Sequence, residues 1–181
     1  MPTIFTHAVV PLAAGLALGR TALSPRLVAA GVVAAMAPDF DTVAFKLGID
    51  YAAPFGHRGA THSIVFALAL GLLAAACAPW LRSGRRRAFG FVALCALSHP
   101  LLDALTNGGL GVAVLWPWSH ARFFAPWRPI AVSPIGAGFF SARGAAVLWS
   151  ELQWVVLPLA LAALPWMAIR MHLARRRAWR P

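Results

Sequence analysis

Charge is the scarcest resource in this chain: only 12% of its residues are charged, where a soluble domain usually carries about 25%. With 60% hydrophobic residues and a mean hydropathy of +0.72, a globule of 181 residues has too little polar surface to cover itself. That excludes an ordinary soluble fold and makes lipid the expected solvent. Acids are scarcer still, 5 against 16 Lys and Arg, for a net charge of +11. In a soluble protein such a balance would suggest nucleic acid. Here the arginines stand in short clusters between apolar runs, so the positive-inside rule explains them and no nucleic-acid partner is expected. The two cysteines, Cys77 and Cys95, both fall inside apolar runs; they read as small packing residues, with no role in a disulfide or metal site. No basic region precedes the first apolar run, which Pro11 soon interrupts, a pattern that speaks against a cleaved signal peptide. Internal repeats and low-complexity segments are absent.

What is present is a series of apolar runs. The first spans about 8 to 19 and the second Leu27 to Ala37, with a break at Ser24-Pro25-Arg26 between them. Each is about a dozen residues, short of the ~20 that span hydrocarbon. They read as re-entrant helices or as a tilted hairpin in a thin bilayer. Residues 42 to 60 read as a loop with one short helix. Ser63 to Leu81 is the best transmembrane candidate, with Thr61 as its N-cap. Ala88 to Leu105 follows, and Ala145 to Met171 forms a last helix in which Pro158 and Pro165 predict kinks. Between them, about 108 to 143, a Gly-, Pro-, Trp- and Phe-rich stretch reads as interfacial or re-entrant. The expectation is an all-α polytopic membrane protein: a single domain, 1 to 181, of four to five spanning or re-entrant helices with a basic C-terminal tail.

The charges sort themselves along this path. Arg20, Arg26, Arg82, Arg85, Arg86, Arg87, Arg170, Arg175, Arg176, Arg177 and Arg180 fall at alternate helix ends, which the positive-inside rule places in the cytoplasm. The other ends carry His7, Asp39, Asp41, His57, His62, His99 and Asp103, with Asp50 and His120 in nearby loops. Counted from the arginines at 1.5 Å per residue, His7, Asp39 and His99 sit about 18–20 Å up, level with one another. Ionisable groups at such a depth face a cavity or a partner. Imidazole and carboxylate without thiolate suit Zn, Mn or Fe.

Within this group His99-Pro-Leu-Leu-Asp103 is the sharpest element, because an i,i+4 spacing puts both side chains on one helix face. The pair either shares a metal or makes a hydrogen bond that locks two helices, and Pro100 can bend the helix to open space. His57-Arg-Gly-Ala-Thr-His62 has an i,i+5 spacing, so His57 belongs to the loop and His62 to the first turn of the next helix. Asp39-Phe-Asp41 follows a proline. On an extended piece its two carboxylates point apart, one towards a metal and one towards a histidine. Taken alone, Asp39-Phe-Asp41 reads as a solvated helix-end turn, and a lone His7 as structural.

Thr6-His7, Pro38-Asp39-Phe-Asp41, His57-Arg-Gly-Ala-Thr-His62-Ser63, Ser98-His99-Pro-x-x-Asp103 and Leu115-Trp-Pro-Trp-Ser119 with Arg122 resemble the motifs of the YdjM-like family of bacterial inner-membrane proteins, regarded as metal-dependent hydrolases. The resemblance covers about residues 5 to 128. More distantly, the pattern is similar to the zinc-dependent phospholipase C and P1 nuclease group, whose second His-x-x-x-Asp is missing here, which favours one or two ions. The resemblance implies His7, Asp39, His62, His99 and Asp103 as ligands of a divalent metal, zinc before manganese or iron. It implies Asp41 or His57 as base or as orienter of a ligand. Arg58, Asn107 and Arg122 would bind substrate, with Arg128 a further candidate for a phosphate. The implied substrate is a phosphoester such as a phospholipid head group, reached from the extracytoplasmic side through the aromatic Trp116–Trp127 segment. Other membrane enzymes are disfavoured: the chain lacks His-Glu-x-x-His, His-x-x-His-His boxes and Pro-Ser-Gly-His. The alternative is non-enzymatic, a membrane scaffold or ion-handling protein in which the same residues form a structural network. Ion transport would spread such groups through the bilayer, whereas these lie at one level.

Overall fold

The computed structural model describes residues 1–134 and 136–178. Among them the regular structure is helical, with no strand beyond two isolated bridges, Thr106 to Ile130 and Val112 to Phe123. Helix α1 (Ile4–Leu18) turns through Gly19 into α2 (Pro25–Met36), which passes without a break into a 3₁₀ turn (Ala37–Thr42) and the short α3 (Val43–Lys46). After a loop and a second 3₁₀ turn (Ala60–His62) come α4 (Ile64–Ala76) and α5 (Arg85–Ala104). A long irregular segment leads to α6 (Ala142–Glu151), one π turn (Leu152–Val156) and α7 (Leu157–Ala178). Two helical stretches are long and apolar enough to cross a membrane, Pro25–Lys46 with 22 residues and Ala142–Arg176 with 35.

The packing explains the composition. The helices meet through small residues: Ala34 of α2, Ala67, Gly71 and Ala74 of α4, and Ala88, Ala93 and Ala96 of α5 are buried. The large side chains point outwards, with Leu72 63%, Leu94 68% and Leu161 71% exposed. A soluble core buries its leucines; this bundle buries mainly alanines, with Leu23, Leu27 and Leu81, and offers most of its leucines to the surroundings, the arrangement that suits lipid. Gly71 shows how close the approach is, since a Cβ there would lie 2.9 Å from that of Ala93. Around α5 as the central helix pack α2 and α4, while α1 packs between α2 and α7.

Several local expectations need correcting. Ser63, not Thr61, caps α4: its hydroxyl accepts from the Phe66 amide at 3.1 Å, which frees Thr61 for the site. The last helical stretch begins at Ala142, before the expected Ala145, and at Pro158, where a kink is expected, it passes from a π turn into α7. That proline cannot donate to the carbonyl four residues back, and the π turn just before it, where the Leu157 amide reaches the Leu152 carbonyl, absorbs the fault. Glu151 ends α6. Of the expected basic tail, Arg175 and Arg176 continue α7, and Arg180 lies outside the described residues.

At one end of the bundle arginines tie down backbone carbonyls. Arg170 donates to Leu16 and Ala17, Arg87 to Ala22 and Arg26 to Trp80. At the other end lie the histidines and aspartates.

Candidate metal centre

Four chain segments bring the acids and histidines together, each at a helix end. The first turn of α1 carries His7, the 3₁₀ turn after α2 carries Asp39 and Asp41, the 3₁₀ turn before α4 carries His62, and the last turns of α5 carry His99 and Asp103. All six side chains are buried. The sequence Pro38-Asp39-Phe-Asp41 is not extended as its alternation implied. Its 3₁₀ form, closed by the Thr42 hydroxyl donating to the Asp39 carbonyl at 2.9 Å, lets both carboxylates turn inwards.

Asp39, His62, His99 and Asp103 each offer an atom within 4.8 Å of all the others, a group that could hold a metal ion. His99 Nε2 lies 3.0 Å from His62 Nε2 and 3.3 Å from Asp39 Oδ1, and His62 Nε2 lies 3.2 Å from Asp103 Oδ2. His7 stands beside this group. Its Nε2 is 3.9 Å from Asp39 Oδ2 and 3.8 Å from Asp103 Oδ1, and its ring stacks on His99 with centroids 3.6 Å apart.

The hydrogen bonds around these residues fix which atoms face the centre. His99 Nδ1 donates to the Ala35 carbonyl at 2.7 Å, and His62 Nδ1 lies 3.2 Å from Asp41 Oδ2. With both Nδ1 protons so placed, both Nε2 atoms present lone pairs to each other and to the carboxylates. The two oxygens of Asp39, the two of Asp103 and both nitrogens of His7 have no hydrogen-bond partner in the protein. Buried acceptors facing one another without a donor are costly; a cation at their centre satisfies them together. The donor set, imidazole and carboxylate with no thiolate, is one that zinc, manganese and iron accept.

Asp41 does not face this centre. It receives the Thr61 hydroxyl at 2.6 Å, the Arg58 amide at 3.1 Å and His57 Nδ1 at 2.6 Å, besides His62. This is the carboxylate–histidine pairing that orients metal-binding imidazoles. Asp41, His57 and His62 form a second group that could hold an ion, sharing His62 with the first.

The three residues expected to bind substrate are placed as clamps. Arg58 is fully buried in a left-handed backbone conformation, φ 62°. Its Nε lies 3.1 Å from Asp103 Oδ2, and its remaining nitrogens donate to Gly108, Leu110 and the Thr106 hydroxyl. A guanidinium so committed has no face left for a phosphate. Instead it offsets one of the two central carboxylates and ties the end of α5 to the following loop. Arg122 donates to the carbonyls of His57, Tyr51 and Ala53; partial burial lowers its pKa, against the charge of Asp41. Asn107 is exposed, and its side-chain oxygen accepts from the Val132 amide at 3.0 Å. Arg128 is exposed over the Phe124 ring, 4.9 Å from its centroid, and makes no side-chain hydrogen bond among the described residues. Asp50 and His120, counted with the cluster from the sequence, are exposed in loops.

Sequence reasoning missed Glu151. It is buried and receives the Thr3 amide, the Thr3 hydroxyl at 2.8 Å and the Thr6 hydroxyl at 2.7 Å, so the far end of α6 holds the turn that carries His7. The signal was a lone acid among apolar neighbours on the last helix. Thr106 was also missed, being a polar residue of ordinary appearance in a loop.

The arrangement can now be set beside known proteins. The chain matches the family described as YdjM inner membrane protein over residues 1–176. It is 49% identical over 160 residues to the inner membrane protein YbcI of Escherichia coli (strain K12), covering 87% of this chain and 92% of that one. No solved structure matches, and the more distant likeness to the phospholipase C and P1 nuclease group is not shown. A helical chain that turns leucine outwards and buries a His/Asp cluster at one end thus meets its relatives along nearly its whole length, and it belongs to the YdjM inner membrane protein family.

Proposed function

We propose that the protein is a membrane-embedded, metal-dependent hydrolase acting on a phosphoester such as a lipid head group. The carrying observation is the set of buried Asp39 and Asp103 oxygens without a hydrogen-bond partner, gathered with the Nε2 atoms of His62 and His99 within reach of one ion. These four would hold the ion, with His7 completing the set, and a second ion would fit between His57, Asp41 and His62 only in exchange for the Nδ1 protons that now bind them to Asp41. When bound, such an ion supplies a Lewis acid that activates water near neutral pH and polarises a phosphoryl oxygen. Zinc fits the donors best, with manganese or iron as alternatives.

The protein's own residues do the rest. Asp41 and the Ala35 carbonyl hold the two imidazoles in the ligating tautomer, and Arg58 keeps Asp103 ionised and in place. His57, hydrogen-bonded to Asp41, is the group placed to accept a proton at the edge of the cluster. Arg128 is the arginine free to receive a phosphate. Topologically, four to five helices span or re-enter the inner membrane as one domain. The arginine end is cytoplasmic and the cluster extracytoplasmic, with membrane lipids as partners and the aromatic 108–143 segment at the interface.

The burial of all four ligands also favours a second reading, a structural ion in a non-enzymatic scaffold, since structural sites are closed and catalytic ones keep an open position. One experiment separates the readings: metal analysis of the detergent-purified protein beside His99→Ala and Asp103→Ala, followed by a screen of lipid phosphoesters. About one or two equivalents of a transition metal in the wild type, lost in both variants, with turnover that returns on adding metal, is the expected result. Metal without turnover, with unfolding on chelation, selects the scaffold. A folded wild type that takes up no metal sinks both and leaves the cluster a structural polar network.

A further inference from the structure

The end of the bundle opposite the cluster carries a feature that the hydrolase reading does not use. Helices α2 and α4 both pack closely on α5 but hardly touch each other, and an apolar slot of about 430 Å³ lies between them. Ala30 and Val33 of α2 and Leu73 and Ala74 of α4 line its sides, and Val92 of α5 its floor. At its mouth stand Arg26 and Trp80, the guanidinium 5.6 Å from the indole centroid and hydrogen-bonded to the Trp80 carbonyl at 3.0 Å.

The charge around this mouth is one-sided. Arg26 lines it, and Arg20, Arg82, Arg85, Arg86 and Arg87 are exposed at the same end of the bundle; none makes an ion pair among the described residues. The five acids of the chain, Asp39, Asp41, Asp50, Asp103 and Glu151, all belong to the other end or its loops. The mouth also adjoins the N-terminus of α2, whose dipole adds to the attraction for an anion. An apolar slot a helix long, opening under unpaired arginines and an interfacial tryptophan, matches one ligand chemistry: a phosphate head on an acyl chain.

We propose that the slot holds an acyl chain of one anionic phospholipid from the leaflet at the basic end, its phosphate on Arg26 and the neighbouring arginines. The lipid is resident, distinct from any substrate of the His/Asp cluster, and it fills the gap that small residues leave between α2 and α4.

Cys77 gives a direct readout. It lines the slot and is exposed, whereas Cys95 is buried and serves as the internal control. The full-length protein is placed in nanodiscs of phosphatidylcholine alone or with phosphatidylglycerol, and Cys77 is alkylated with a neutral maleimide. A slot nine-tenths filled slows the reaction about tenfold in phosphatidylglycerol. Arg26→Gln, an exposed change, restores the phosphatidylcholine rate. Native mass spectrometry of the wild type released from the same discs shows one phosphatidylglycerol retained. Equal rates in the two lipids, or protection that survives Arg26→Gln, overturns the proposal. Protection in both lipids together with a dimer in the mass spectrum also overturns it and assigns the slot to a second copy of the chain.

Discussion

At the basic end of the bundle the helices touch through alanine, glycine and the buried Leu23, Leu27 and Leu81, and the polar ties are arginines and the Ser24 hydroxyl on backbone carbonyls. At the His/Asp end they are held apart by imidazoles and carboxylates, and these depend on one another through buried hydrogen bonds. The first kind of contact is many small dispersion terms, each replaceable. The second is a network in which removing one member strands its partners. Substitutions at the two ends should therefore differ in size and kind: large and metal-linked at one, modest and metal-independent at the other.

The widest separation is expected from Asp103→Ala. It removes a ligand and leaves the Arg58 guanidinium buried without its counter-charge, a loss of about 3–5 kcal/mol for a broken buried pair. Bound metal should disappear and the thermal unfolding midpoint in detergent should fall steeply. Retention of metal by a folded Asp103→Ala protein would mean that the cluster does not act as a unit.

Next comes Glu151→Ala, which touches no ligand. The Thr3 amide and both threonine hydroxyls lose their acceptor, costing about 1–3 kcal/mol. The first turn of α1, and His7 with it, loses its hold on α6. Metal content measured at limiting zinc should fall, while excess zinc should restore it. If zinc affinity is unchanged, His7 contributes nothing to the centre.

How much of this was legible beforehand follows the same division. The basic end could be read from composition and arginine spacing, because the positive-inside rule acts on the linear sequence. The resemblance named His7, Asp39, His62, His99 and Asp103, and the fold gathers all five. The resemblance also named Asp41 or His57 as orienter of a ligand; what could not be read was how the remaining contacts behind the ligands are made. Arg58 looks like a loop cation able to hold a phosphate; only its left-handed backbone and the carbonyls of Gly108 and Leu110 turn it inwards. Asp39 and Asp41 divide as their alternation implies, one into the centre and one onto the histidines, but a 3₁₀ turn after Pro38 and not an extended piece sets them apart. Glu151 lies 148 residues from Thr3, and no local pattern connects them.

A smaller effect tests the apolar half. In Gly71→Val the added carbons meet Ala93 and the Phe89 carbonyl, and overpacking of this kind costs about 1–2 kcal/mol. The denaturation midpoint should drop while the metal bound per folded molecule stays constant. A loss of metal would show that strain between α4 and α5 reaches His62 and His99, and that the two ends are not independent.

The smallest effect belongs to Arg170→Met. α1 ends at Gly19, with φ 77°, and the absence of a Cβ there lets the Arg170 guanidinium lie against the turn and donate to Leu16 and Ala17. A cation over the last carbonyls of a helix is worth about 0.3–1 kcal/mol. Gly19→Ala should cost more, since its methyl occupies the place of the guanidinium and must also adopt a positive φ. Because both substitutions break the same contact, the double variant should be less destabilised than the sum of the two. Simple additivity in the unfolding midpoints would mean that Arg170 rests on the turn without supporting it, leaving the basic end to apolar packing alone.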